Sequence, residues 1–196
     1  MIKTLIELTL KFFFVFTPFF ALSMFLVMTS DKSDKERKSL AVRVGISSIV
    51  ISACLFFFGQ WIFKIFGITV DAFRIGAGIL LLLSAINLMN PQIITKKREK
   101  TEDITVVPLA MPIIIGPASC GTIMVLSAEL NSIPLKLIGF SALAIALGAV
   151  FAILSLSTWI DEKLGKRGIS ILMRITALIL AALSAQMIMT GAVGFF

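Results

Sequence analysis

Histidine and tyrosine are absent from the 196 residues, and cysteine occurs only twice. Lack of histidine removes the commonest general acid–base and the commonest metal ligand. No H-x-x-E-H-type spacing and no Gly-x-Ser-x-Gly replaces it. The carboxylates fall in expected loops or at expected helix ends, apart from Glu7, which is spaced to pair with Lys11. Enzymatic chemistry is therefore not expected. Cys54 and Cys120 are distant in sequence and lie in apolar segments, which gives neither a disulfide nor a metal site. Charge is scarce too: 15% of residues are charged, against about 25% in soluble domains.

What fills the chain instead is apolar. Hydrophobic residues make up 58%, phenylalanine alone accounts for 17 residues, and the mean hydropathy is +1.04. Runs long enough to cross about 30 Å of hydrocarbon fall at about 8–29, 40–63, 70–90, 104–128, 135–159 and 170–195. The expected fold is all-α, a polytopic membrane protein of six transmembrane helices. The first run follows Lys3 and Lys11 but is too long for a secretory h-region and leads into a charged loop, so it is read as a retained helix.

The net charge of +7 is explained by orientation rather than by nucleic-acid binding. Lys32, Lys35, Arg37 and Lys38 lie in the first loop, Lys96, Lys97, Arg98 and Lys100 in the third, and Lys163, Lys166 and Arg167 in the fifth; the second and fourth hold only Lys64 and Lys136. Short Lys/Arg-rich loops stay cytoplasmic, so both termini are expected outside the cytoplasm, with the chain in the cell's inner (plasma) membrane.

Residues 74–89, RIGAGILLLLSAINLM, align with 174–189, RITALILAALSAQMIM, at nine of sixteen positions. An offset of 100 residues divides the chain into a three-helix unit at 1–95, a basic cytoplasmic linker at 96–103 and a second three-helix unit at 104–196. Three helices per unit is an odd number, so the second unit enters the membrane inverted. The first helices of the two units also correspond, because Thr17-Pro18 in one lies opposite Gly116-Pro117 in the other. Proline inside a helix removes a donor and clashes with the preceding turn, at a cost of about 3 kcal/mol. In hydrocarbon such a break survives only where protein or a water-filled cavity surrounds it.

Paired broken helices in inverted halves point to a transporter site. A half-helix that begins at mid-membrane offers unpaired N–H groups at its positive dipole end to a carboxylate, and the opposing carbonyls can hold an ammonium group or a cation. A small zwitterion suits that arrangement. Thr17, Pro18, Gly116, Pro117, Ser119 and Thr122 are the leading candidates: prolines and glycine break the helices, hydroxyls and exposed amides contact solute. Asn87 and Gln186, with Ser84 and Ser184, lie inside the third and sixth helices, where interhelical hydrogen bonding or lining of the pathway are both open to them. Arg74 and Arg174 either snorkel to the interface or close ion pairs, for example with Asp71. Ala177, Ala181 and Ala185, like Ala144, Gly148 and Ala152, read as packing faces. No mid-membrane carboxylate is available as a proton relay, so no cofactor is expected and coupling, if any, falls to a carbonyl-bound Na⁺.

The stretch EDITVVPLAMPIIIGPASCGTIMV at 102–125 resembles the signature of the MarC family of integral membrane proteins, which reads E-D-x-x-V-x-P-L-A-x-P-x-x-x-G-P-G-A/S. FGITVDAFRIGAGILLLLSAINLM at 66–89 and RITALILAALSAQMIMTG at 174–191 resemble its other two characteristic segments. The resemblance implies six helices over the whole chain and transport of small neutral amino acids. The chain departs from the pattern in helix 1, where Asn-Pro-x-Gly-Ala is replaced by Thr17, Pro18, Phe19, Phe20 and Ala21, and at Ala118, where the second glycine is usual. Phe20 is expected to narrow the first half-site. Two classes of function fit: a transporter or exporter of small zwitterions, and a non-transporting membrane scaffold or partner subunit. The oligomeric state is not legible.

Overall fold

A computed structural model describes residues 1–89 and 114–195. The basic linker at 96–103 and Pro91, Pro108 and Pro112 lie outside the described residues. Seven helices follow in order: α1 (Ile2–Val15), α2 (Pro18–Met28), α3 (Asp34–Phe66), α4 (Val70–Met89), α5 (Pro117–Glu129), α6 (Ile133–Ser155) and α7 (Ser157–Phe195). Among the described residues there are no strands. Five spans are long and apolar enough to cross a membrane: Ile2–Met28, α3, α4, α6 and α7. α5 is the described half of the sixth expected span. The chain is thus an all-helical, multi-pass membrane protein.

The first span breaks where the sequence predicts. α1 ends at Val15, Thr17 adopts left-handed φ/ψ of 48° and 57°, and α2 starts at Pro18. A residue before proline is disfavoured in right-handed helix, and a β-branched residue at positive φ is costly, on the order of 1–3 kcal/mol. Fully buried Phe12, Phe16, Leu22 and Phe25 pack around the break and hold it. α2, with 11 residues, rises about 16 Å, half of a 30 Å hydrocarbon layer. The break therefore sits near the membrane midplane.

α3 starts earlier than the apolar run at 40–63 requires, because Ser33 and Glu36 form a capping box. Lys35, Arg37 and Lys38 consequently ride on its first turns rather than in a loop. It ends at Gly67, whose φ of 63° lets the chain turn into α4. Ile46, Val50, Phe58, Trp61 and Ile65 stay exposed along one side of α3, as a lipid-facing stripe does. The expected fifth loop is largely helical as well: α7 runs from Ser157 through the basic segment, interrupted only at Gly165 (φ 60°, ψ 177°).

α5 is the central element. Residues from Ala118 to Ser127 are buried apart from the half-buried Cys120, as a helix enclosed by others must be. It packs against α3 and α4. Close approach rests on glycine, since a Cβ on Gly121 would stand 2.8 Å from Ala77 Cβ, and one on Gly59 would stand 2.7 Å from Met124 Cγ. α4 and α7 make the most extensive helix pair. They run antiparallel: Gly78 meets Ile188, Ile75 meets Gly191 and Asp71 meets Gly194.

Three packing expectations need correction. Ser84 and Ser184 do not bond across helices; each hydroxyl donates within its own helix, to Leu80 O at 2.9 Å and Ala181 O at 2.7 Å. A short hydroxyl reaches the preceding turn before it reaches a neighbour. Ala144, Gly148 and Ala152 are exposed, and nothing lies within 4 Å of a Cβ built on Gly148, so this row packs against no other described helix. Glu7 pairs with Lys3 at 3.9 Å rather than with Lys11.

Candidate functional site

α2 and α5 both begin with proline at the first helical position. Proline has no N–H, and the first helical bonds are Ala21 N to Thr17 O and Cys120 N to Gly116 O, both 2.9 Å. The amides of Phe19 and Phe20 in one half-helix, and of Ala118 and Ser119 in the other, precede those bonds. Neither terminus has a side-chain cap. Each is therefore a positive dipole end with donors to offer.

The two ends meet at one cavity of about 170 Å³, lined by Thr17 and Phe20 from the break between α1 and α2 and by Gly116, Pro117, Ala118 and Ser119 from the start of α5. Ser84, Asn87 and Leu88 of α4 form another wall, and Val15, Leu81 and Ile114 complete it. Pockets for drug-sized ligands start at about 300 Å³, so this space suits a solute of a few heavy atoms. A Cβ on Gly116 would meet nothing within 4 Å, so its missing side chain leaves room for something else.

A second cavity of about 240 Å³ lies on the other side of Val15 and Leu81, which line both and are themselves buried. Its walls carry Lys11 of α1, Arg74 of α4, Thr122, Leu126 and Glu129 of α5, and Gln186 and Thr190 of α7. Arg74 donates to Asp71 Oδ1 and Glu129 Oε1, both at 2.7 Å, with only 12% of its side chain exposed. The pair with Asp71 was legible from sequence; the bridge to Glu129 was not. Arg174 is exposed, as a snorkelling side chain should be.

The expected site residues therefore divide. Thr17, Asn87, Gly116, Pro117 and Ser119 share the first cavity, whereas Thr122 and Gln186 line the second. Pro18 is buried at the break and lines neither. Ser119 is less available than its position suggests: its hydroxyl lies 3.1 Å from Val15 O and 3.2 Å from Ile114 O, where it ties the end of α1 to the start of α5. Thr122 donates to Ala118 O at 2.8 Å. Sequence reasoning missed Lys11, which lines the second cavity while Glu7 pairs with Lys3.

The family model described as MarC family integral membrane protein matches residues 2–196. The chain belongs to the MarC family. Similar relatives are UPF0056 membrane proteins. One from Methanocaldococcus jannaschii is 35% identical over 186 residues, covering 91% of each chain. YvbG of Bacillus subtilis is 33% identical, covering all of this chain and 97% of its own. YhcE of Escherichia coli is 29% identical, covering 94% of this chain and 89% of its own. No solved structure matches. Within the described residues, the stretch at 102–125 that resembles the family's signature includes Gly116-Pro117 at the start of α5, on the wall of the first cavity.

Proposed function

We propose that this MarC-family protein moves small zwitterions, such as small neutral amino acids, across the inner membrane. The observation that carries the reading is the convergence of two uncapped half-helix N-termini on one small cavity beside Ser84 and Asn87. Two dipole ends favour a carboxylate by about 0.3–1 kcal/mol each, and more in a dry site. Phe20 limits the solute to a small side chain. The two cavities, separated by Val15 and Leu81, are the two halves of one path, with those side chains as its closed point.

The same reading makes residues 1–95 and 104–196 inverted repeats. The antiparallel course of α4 along α7 and the matching breaks at Pro18 and Pro117 support it, and both termini then lie outside the cytoplasm. Coupling to Na⁺ is open to backbone carbonyls left at the breaks. The scaffold reading draws on Ser119, whose bonds to Val15 and Ile114 serve the packing of the break itself. Uptake of labelled glycine and alanine into liposomes holding the purified protein tests the proposal. Uptake above protein-free liposomes, lost in Pro117→Ala at equal incorporation, supports transport; protein-free rates for both would leave the scaffold reading.

A further inference from the structure

Lys11 is a cation inside a membrane span with no ion-pair partner among the described residues. It stands seven residues before Pro18, about 10 Å from the midplane break toward the N-terminal end at 1.5 Å per residue, and so about 5 Å inside the hydrocarbon boundary. An unpaired charge at that depth calls for a partner. Lys11 lines the 240 Å³ cavity together with Glu129 and Arg74. Arg74 binds both Asp71 and Glu129, so these three groups together carry one negative charge. Glu129 uses Oε1 for Arg74, and 41% of its side chain remains exposed. The cavity therefore sets one free positive charge on α1 against one net negative charge on α4 and α5, and is neutral as a whole.

We propose that this outer cavity is a capture site for a small zwitterion, in which Lys11 takes the carboxylate and the Glu129 carboxylate takes the ammonium. It is a second site, one step before the half-helix cavity, and it rests on the transport reading only for the direction of travel. A solute with opposite charges a few bonds apart satisfies both walls and leaves the site neutral. An anion would leave the Asp71–Arg74–Glu129 cluster unmatched, and a cation would leave Lys11 unmatched. Gln186 and Thr190 add polar groups to the same lining.

The test uses a reporter in the cavity. Thr190→Cys is placed in the full chain with Cys54→Ala and Cys120→Ala, reconstituted in liposomes, and its labelling by an impermeant methanethiosulfonate is timed with and without glycine. At ten times the dissociation constant, labelling should slow about tenfold by mass action. Acetate and ethylammonium at the same concentration should protect far less. Protection should vanish in Lys11→Gln, survive in Lys11→Arg, and survive in Gly116→Leu, which blocks only the inner cavity. Equal protection by acetate, or protection that persists in Lys11→Gln, would overturn the assignment. Uptake by the wild-type protein with no glycine protection would overturn it while leaving transport standing; protection without uptake would uphold the capture site and remove the transport reading.

Discussion

Gly116→Leu separates the two demands placed on the half-helix break, folding and solute binding. Gly116 is the N-cap of α5, with φ −78° and ψ 175°, a backbone conformation open to any residue. A Cβ there meets no atom within 4 Å, so the new side chain leaves the backbone into open space in the empty protein. The space it enters is the 170 Å³ cavity. A leucine side chain has four carbons, each roughly as large as the ~30 Å³ that a water occupies, so it fills more than half of that volume. A bound solute must then displace it or be excluded, and forced overpacking costs about 1–3 kcal/mol, equivalent to about 5- to 150-fold in affinity. Alanine uptake into liposomes should fall by at least about fivefold, while thermal stability in detergent stays within about 0.5 kcal/mol of wild type, as for other substitutions that touch nothing. Gly121→Leu is the contrasting control, because its Cβ would press on Ala77 at 2.8 Å and the protein should lose stability. Unchanged uptake by Gly116→Leu at normal incorporation would refute the assignment of this cavity to solute.

Three other outcomes follow from the same structure. Phe20→Ala should enlarge the half-helix cavity and admit larger neutral amino acids, read as competition against alanine uptake, at a stability cost below the about 3–5 kcal/mol of a fully buried phenylalanine because Phe20 is only half-buried. Gly191→Val should destabilise by about 1–3 kcal/mol in thermal unfolding, since even a Cβ would stand 2.8 Å from Asp71 O on α4. In a Cys-free background, an impermeant thiol reagent applied to intact cells should label Lys136→Cys and not Lys38→Cys; the reverse pattern would place the termini inside.

The elements that sequence reveals best are those governed by local chemistry. Proline is favoured at the first position of a helix whatever surrounds it, so the two helix starts at Pro18 and Pro117 were legible. Apolar run length gave the spans for the same reason, and the Asp71–Arg74 pair follows from helical spacing. What escaped depends on tertiary placement. Glu129 reaches Arg74 only because α5 packs on α4. Glu7 can reach a lysine on either side of it, and the choice of Lys3 leaves Lys11 facing a cavity. Thr122 and Gln186 lie in the second cavity rather than with Thr17, because α5 and α7 carry their side chains past Val15 and Leu81. The small-residue row on α6 has the pattern of a packing face but finds no partner among the described residues, since α6 turns its other sides to α1 and α3.

Countertransport tests most directly whether the paired half-helix termini hold a travelling solute. Liposomes containing the protein are loaded with unlabelled alanine and placed in a trace of labelled alanine. The account predicts transient accumulation of label above equilibrium for the wild-type protein, and none for Gly116→Leu or Pro117→Ala. Accumulation that is absent from the wild type, or equal in all three, would contradict it.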